Sequence, residues 1–419
     1  MRYIFLFLIV ANLNPFAFEN FFYDFSVRAN YAKYFNSRNT AFKIKPQKYY
    51  ISDDYYVEVS NSILGDYAYY SFFNRKNGAS YIFPGSYVIK VGRYGIEQIK
   101  IFFLNRADTF IRIKAGDVHS SADFYLINTF IYKDIKLPFK ISDIATGSFL
   151  EIVKYISNFI DFELFRPRSL EAYDNISNIV DSLRAFLKVS PLIFEVHDGA
   201  MNELGEMVYI RTGEPQREPI GFNCSGFGKW VADSIYKAMT GKLLKIKDLK
   251  VKHIGIRGNS FTKYYEFSRD PFFGLDWTRN IAYKLKNVDA DLDLSRVKEL
   301  DVNNIGFLKY IENRGYEIDN LEFILYYLAV KEPGHMYFGS LNTTINGFPG
   351  KVFHKHVVVL FPFIDRESIF RVSLMEINDE TSIKSLRGRY PNSYIHLVRA
   401  KVPKNISIVP IPKRINKDK

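Results

Sequence analysis

The stretch Gly221-Phe222-Asn223-Cys224-Ser225-Gly226-Phe227 carries the only cysteine in a chain of 419 residues. Directly after it, Phe227, Trp230, Val231, Ile235 and Ala238 recur at helical spacing, and Gly241 supplies a C-cap. The cysteine therefore begins a helix. Backbone N–H groups and the dipole at such an end favour a thiolate. The same N–H groups can hold the oxyanion formed when sulfur attacks a carbonyl. Gly226 and Gly228 would let backbone approach a substrate closely. The competing reading is a small buried hydrophobe, the usual fate of a free cysteine.

A nucleophile of this kind needs a base, and seven histidines are available. His356 opens Val357-Val358-Val359-Leu360-Phe361, a run apolar on both faces that predicts a buried strand. A histidine at the mouth of a buried strand needs a polar partner. The next strand, Phe370 to Ile377, follows across Pro362 to Ser368. A hairpin symmetric about Arg366 sets Glu376 opposite His356, and a slip of one residue pair sets Asn378 there instead. Either could orient the imidazole as the third member of a triad. His335, after Pro333-Gly334 at a strand start, could serve as base or be structural. His354 shares the His356 face by alternation. His119 and His253 read as solvated, His197 as structural and His396 as a surface residue of a late strand.

Metal chemistry has less support. His354-x-His356 could ligate zinc but lacks a third ligand at suitable spacing. Asp289-x-Asp291-x-Asp293 begins like a calcium loop, yet Leu294 stands where the turn needs glycine and Leu300 where glutamate is required. No phosphate-cradling glycine motif or Gly-x-Ser-x-Gly elbow occurs. The expectation is cysteine chemistry without a cofactor.

Met1-Arg2, the almost wholly apolar run Tyr3 to Ala11 and the small residue Ala17 read as a signal peptide over residues 1–17. The run is too short to span a bilayer. Export to the periplasm or cell envelope without a transmembrane anchor is expected. A net charge of +12 points to an anionic partner. No compact Arg/Lys stripe interleaved with aromatics stands out, which argues against nucleic acid. Aromatic residues reach 17% and favour strands. Over 18–145, segments such as Tyr49 to Val59, Tyr81 to Val91, Ile99 to Leu104 and Phe124 to Tyr132 alternate with turn signals, predicting an all-β domain, sandwich-like or a small barrel. A helical connector over 146–190 follows, with periodic runs from Phe149 and Ile176. Residues 191–402 read as α+β, with helices at Trp277 to Lys286 and Ile305 to Asn313 and late strands to Lys401. Residues 403–419 read as a disordered basic tail.

The C-terminal pattern resembles the NlpC-type cysteine peptidases, papain-like enzymes that cut peptidoglycan stem peptides. Their Asp/Asn-Cys-Ser-Gly signature is similar to Asn223-Cys224-Ser225-Gly226 with its apolar helix. Their Gly-Asp-rich strand resembles Pro333-Gly334-His335-Met336-Tyr337-Phe338, with His335 where the acid usually stands. Their His-x-Gly/Ala-apolar strand resembles His356-Val357-Val358-Val359, followed by Glu376 or Asn378 as the polar third residue. The likeness covers about 190–402 and implies an insertion over about 240–330. It further implies a papain-like α+β domain with Cys224, His356 and Glu376 catalytic, and Ser225 and Gly226 in the oxyanion and substrate loop. The implied substrate is peptidoglycan or another anionic cell-envelope polymer. The other reading is a non-catalytic wall-binding or structural surface protein with a degenerate papain-like domain.

Overall fold

The computed structural model describes residues 25–78, 85–165, 170–189, 194–262, 274–367, 369–377 and 379–412. The expected signal peptide, residues 81–84 of an expected strand, Asn378 and residues 413–419 of the tail lie outside them. The chain divides into two units, residues 1–166 and 167–419. The segment read as a connector is shared between them.

In the first unit, eight strands form one antiparallel sheet in sequence order. They are β1 Gln47–Tyr50, β2 Tyr55–Leu64, β3 Tyr67–Lys76, β4 Tyr87–Gly92, β5 Gly95–Phe103, β6 Arg106–Lys114, β7 Ser120–Leu126 and β8 Thr129–Leu137. Neighbours pair because the loops are tight. Leu104-Asn105 and Ile127-Asn128 turn with positive φ at both residues, the two-residue geometry whose twist matches that of the strands. Alternate residues, among them Val59, Tyr70, Phe72, Ile89, Ile99, Ile111 and Phe124, bury one face completely. Among the described residues no second sheet covers it and β1 does not pair with β8, so the expected sandwich is corrected and the sheet is not a closed barrel. Helices α1 Phe25–Asn30, α2 Ile141–Thr146 and α3 Phe149–Ile156, with short 3-10 turns, supply the second layer. Phe35 packs edge-on against Tyr70 at 5.3 Å, and Phe149 against Tyr87 at 6.3 Å. Fully buried Arg28 donates to the carbonyls of Ile144, Ala145 and Gly147 at the end of α2, satisfying acceptors that a helix end leaves open.

The second unit is α+β. Short strands β9 Phe194–Glu195 and β12 Gly221–Phe222 pair in parallel, and β10 Gly199–Met201 pairs with β11 Met207–Tyr209. An antiparallel sheet runs in the order β13-β18-β14-β15-β16-β17. Its strands are β13 Tyr316–Glu317, β14 His335–Thr344, β15 Val352–Ile364, β16 Phe370–Glu376, β17 Asp379–Thr381 and β18 Tyr394–Lys401. The longer helices among the described residues are α4 Asp174–Val189, α5 Cys224–Thr240, α6 Leu275–Lys286, α7 Leu321–Lys331 and α8 Ile383–Arg389. Trp230 of α5 and Trp277 of α6 are wholly buried in one core with Phe338, Val359, Phe361 and Val398. Trp230 Nε1 donates to the Val409 carbonyl at 2.9 Å. Residues 403–412 are thus a strap over α5 rather than part of a free tail. Among the described residues, no helix is long and apolar enough to cross a membrane.

Three other expectations are corrected. Residues 305–313 form turns rather than a helix. Asn313 adopts a left-handed φ of 61° and accepts from buried Arg279, a tertiary demand that outweighs local periodicity. Helix α7 went unread because it is apolar all round and shows no 3.6-residue face. His253 and His396 are buried, not solvated. His253 Nε2 bonds Asn280 at 2.7 Å, and His396 lies 3.2 Å from Asp301 beside Arg279. Burial lowers the pKa of both rings.

Candidate active site

The cysteine is positioned by backbone. Gln216 accepts from Gly221 N and donates to the carbonyls of Val208 and Gly221, tying the approach strand to β11. Asn223 N donates to Gly199 O at 3.0 Å. The Asn223 side chain caps α5 by accepting from Gly226 N at 2.7 Å, and Phe227 N donates to Asn223 O. Cys224 is the first residue of the helix and is half-buried. Its own N–H and that of Ser225 fall in the first turn, where no carbonyl of the helix accepts them. The Ser225 side chain is buried and its carbonyl accepts from Trp277. Ser225 therefore offers its backbone only.

Gly226 serves packing. A Cβ there would meet Gly199 O at 2.0 Å, whereas one at Gly228 would meet Val357 at 3.4 Å. Gly226→Ala should therefore cost about 1–3 kcal/mol through overpacking, while Gly228→Ala should be neutral or stabilising as a helix-interior change. Thermal unfolding of the two variants distinguishes them. Equal midpoints would show that α5 does not depend on its contact with β10.

His356 lies on β15 at an irregularity. It stands opposite Leu341 while His354 stands opposite Asn342, so Lys355 is an extra residue and the two-residue alternation is interrupted. Such bulges re-aim side chains. His356 hydrogen-bonds both Cys224 and Glu376, with Nε2 2.6 Å from Glu376 Oε1. The Tyr390 ring stacks on the imidazole at 5.7 Å and 23°. Burial opposes charge on His356, but the bonds to Cys224 and Glu376 outweigh it and raise the ring to about 9. Burial likewise opposes charge on Glu376, yet His356, Arg389 and Thr381 hold it down to about 2. Thr381 Oγ1 donates to Glu376 Oε2 at 2.6 Å, and Arg389 forks onto both carboxylate oxygens.

The hairpin differs from the expected symmetry. Ile364 pairs with Phe370 and Val359 with Met375. Continued one step, that register sets Glu376 beside Val358, diagonal to His356. The glutamate side chain is long enough to close the diagonal. Asn378, the other expected partner, lies outside the described residues. His335 is remote: it pairs with Lys401 at the far end of β14, and its Nδ1 lies 3.0 Å from Glu332 O. Among the described residues, both buried ring nitrogens of His354 have no hydrogen-bond partner. Burial, then the charge of His356, lowers it to about 3. Thr381, Arg389 and Tyr390 escaped the sequence reading. Their proximity depends on β17 and α8 folding back after β16, and no local pattern encodes that.

The chemistry available is that of a thiol at a helix N-terminus, an imidazole held charged, a buried carboxylate that orients it and two backbone donors. A family model described as a domain of unknown function (DUF8515) matches residues 19–164, within the first unit. No curated protein and no solved structure matches the chain.

Proposed function

We propose that this protein is an exported cysteine hydrolase that cuts amide bonds in peptidoglycan stem peptides, with a papain-like, NlpC-type second unit. The observation that carries the reading is the chain of contacts Cys224–His356–Glu376 at the start of a buried helix. The thiolate sulfur attacks the amide carbonyl carbon, and the oxyanion faces the N–H groups of Cys224 and Ser225. Imidazolium His356 gives its proton to the leaving nitrogen, the C–N bond breaks and a thioester remains. His356 then takes a proton from water, hydroxide adds to the thioester and sulfur departs with a carboxylate product. Glu376 keeps the ring oriented throughout, and Arg389 and Thr381 keep Glu376 in place.

The test compares wild type with Cys224→Ala on purified sacculi. Wild type is expected to release soluble peptide-bearing fragments, and the variant at least about 10³-fold less. Equal release by both would end the hydrolase reading. Binding of sacculi by wild type without release would instead favour a wall-binding protein.

A further inference from the structure

The first unit has a second surface. While one face of its sheet is buried, the opposite face is half-exposed and basic. Lys90 on β4 stands opposite Gln98 on β5, which stands opposite Lys114 on β6. Lys100 stands directly opposite Arg112. Strand spacing sets these four cations around Gln98 in a patch about 10 Å by 7 Å. Asp123 engages Arg112 and Lys114, Asp134 lies 3.8 Å from Lys114, and Glu97 engages Lys90. Among the described residues, Lys100 has no carboxylate partner. Like charges directly opposite in a sheet are unfavourable, and burial together with Arg112 lowers the Lys100 pKa. An anion seated there would relieve both.

We propose that this face, centred on Lys90, Lys100, Arg112 and Lys114, is the docking surface for peptidoglycan, through the carboxylates of its stem peptides. The choice of peptidoglycan rests on the reading of the second unit as an enzyme of that polymer. The surface itself does not. Charge complementarity supplies the attraction, and the neighbouring aromatics narrow the partner. Phe110 and Tyr125 stack on each other at 4.8 Å and 21°, with Lys100 4.3 Å from the Phe110 centroid and Arg112 5.1 Å from that of Tyr125. Ring faces used in this way cannot receive the bases of a single strand, which bind by stacking on open rings. A sheet face likewise offers none of the insertion of an amphipathic helix into lipid.

The experiment uses the full chain carrying Cys224→Ala, so that binding is read without cleavage. Cosedimentation with purified sacculi is compared between this protein and one also carrying Lys90→Gln and Lys100→Gln, which leaves the partners of Asp123 intact. The double change is expected to weaken binding at least tenfold with no fall in unfolding temperature. Binding by the parent should also decline as salt rises from 50 to 500 mM. Undiminished binding by the double variant would overturn the proposal. So would tighter binding of the parent to single-stranded DNA or to phosphatidylglycerol vesicles than to sacculi. Failure of wild type to release fragments, with docking lost in the double variant, would overturn the hydrolase reading alone.

Discussion

Replacing His356 by alanine is expected to slow amide cleavage by at least about 10³-fold. In the proposed mechanism the residue has two tasks, bonding the Cys224 sulfur and protonating the leaving amine. Alanine removes both. The second task requires the charged ring, and hydrogen bonds to Cys224 and Glu376 keep it charged to about 9. Wild-type kcat/KM should therefore lose activity along an alkaline limb near pH 9. A His356→Ala protein with residual activity should lack that limb. A limb in the variant at the same pH would assign the titration to another group.

Glu376→Gln is expected to lower the rate by about 10²–10⁴-fold, the scale found when the orienting carboxylate of a triad loses its charge. Three effects follow from the geometry. The Nε2 contact at 2.6 Å loses its charge assistance. The Arg389 fork onto the carboxylate loses its counter-charge. His356 loses one of the bonds that raise it, so the alkaline limb should move to lower pH. Glu376→Asp should recover little, because the diagonal register demands the longer side chain. An unshifted limb in Glu376→Gln would show that Glu376 serves packing alone. A linked stability effect can be read from unfolding midpoints. His356, raised to about 9 from 6.5, contributes fully below about 6.5, and that contribution is lost as pH rises through 9. Glu376, lowered to about 2 from 4.5, contributes above about 4.5, and that contribution is lost as pH falls through 2. Both contributions are full between about 4.5 and 6.5. The stability difference between wild type and Glu376→Gln should be greatest there.

Much of this site was legible locally. Asn223 read as the residue before a helix, and it caps that helix through its side chain. The apolar run from Val357 to Phe361 announced a buried strand with His356 at its mouth, and those residues are wholly or almost wholly buried. The late strand expected to end at Lys401 forms as β18, Tyr394–Lys401. Where elements failed, a distant partner decided. Asn313 serves Arg279 across the fold, and residues 403–412 hold on α5 through Val409 and Trp230. Helix α7 hid because burial on every side erases the periodicity that a reader uses.

The sequence by itself determined a cysteine at a helix start, a histidine on a buried strand and a chain rich in strands and positive charge. Hydrogen-bonding residues and apolar periods act over a few positions, so a single chain displays them. Tertiary structure alone decided that the β15 bulge aims His356, that Glu376 reaches it along a diagonal, and that Arg389, Thr381 and Tyr390 close around the pair. It also gathered Lys90, Lys100, Arg112 and Lys114 from three strands onto one face, although no basic stripe interleaved with aromatics stands out in the sequence. Register and chain reversal depend on contacts between distant segments, and those contacts exist only in the folded state.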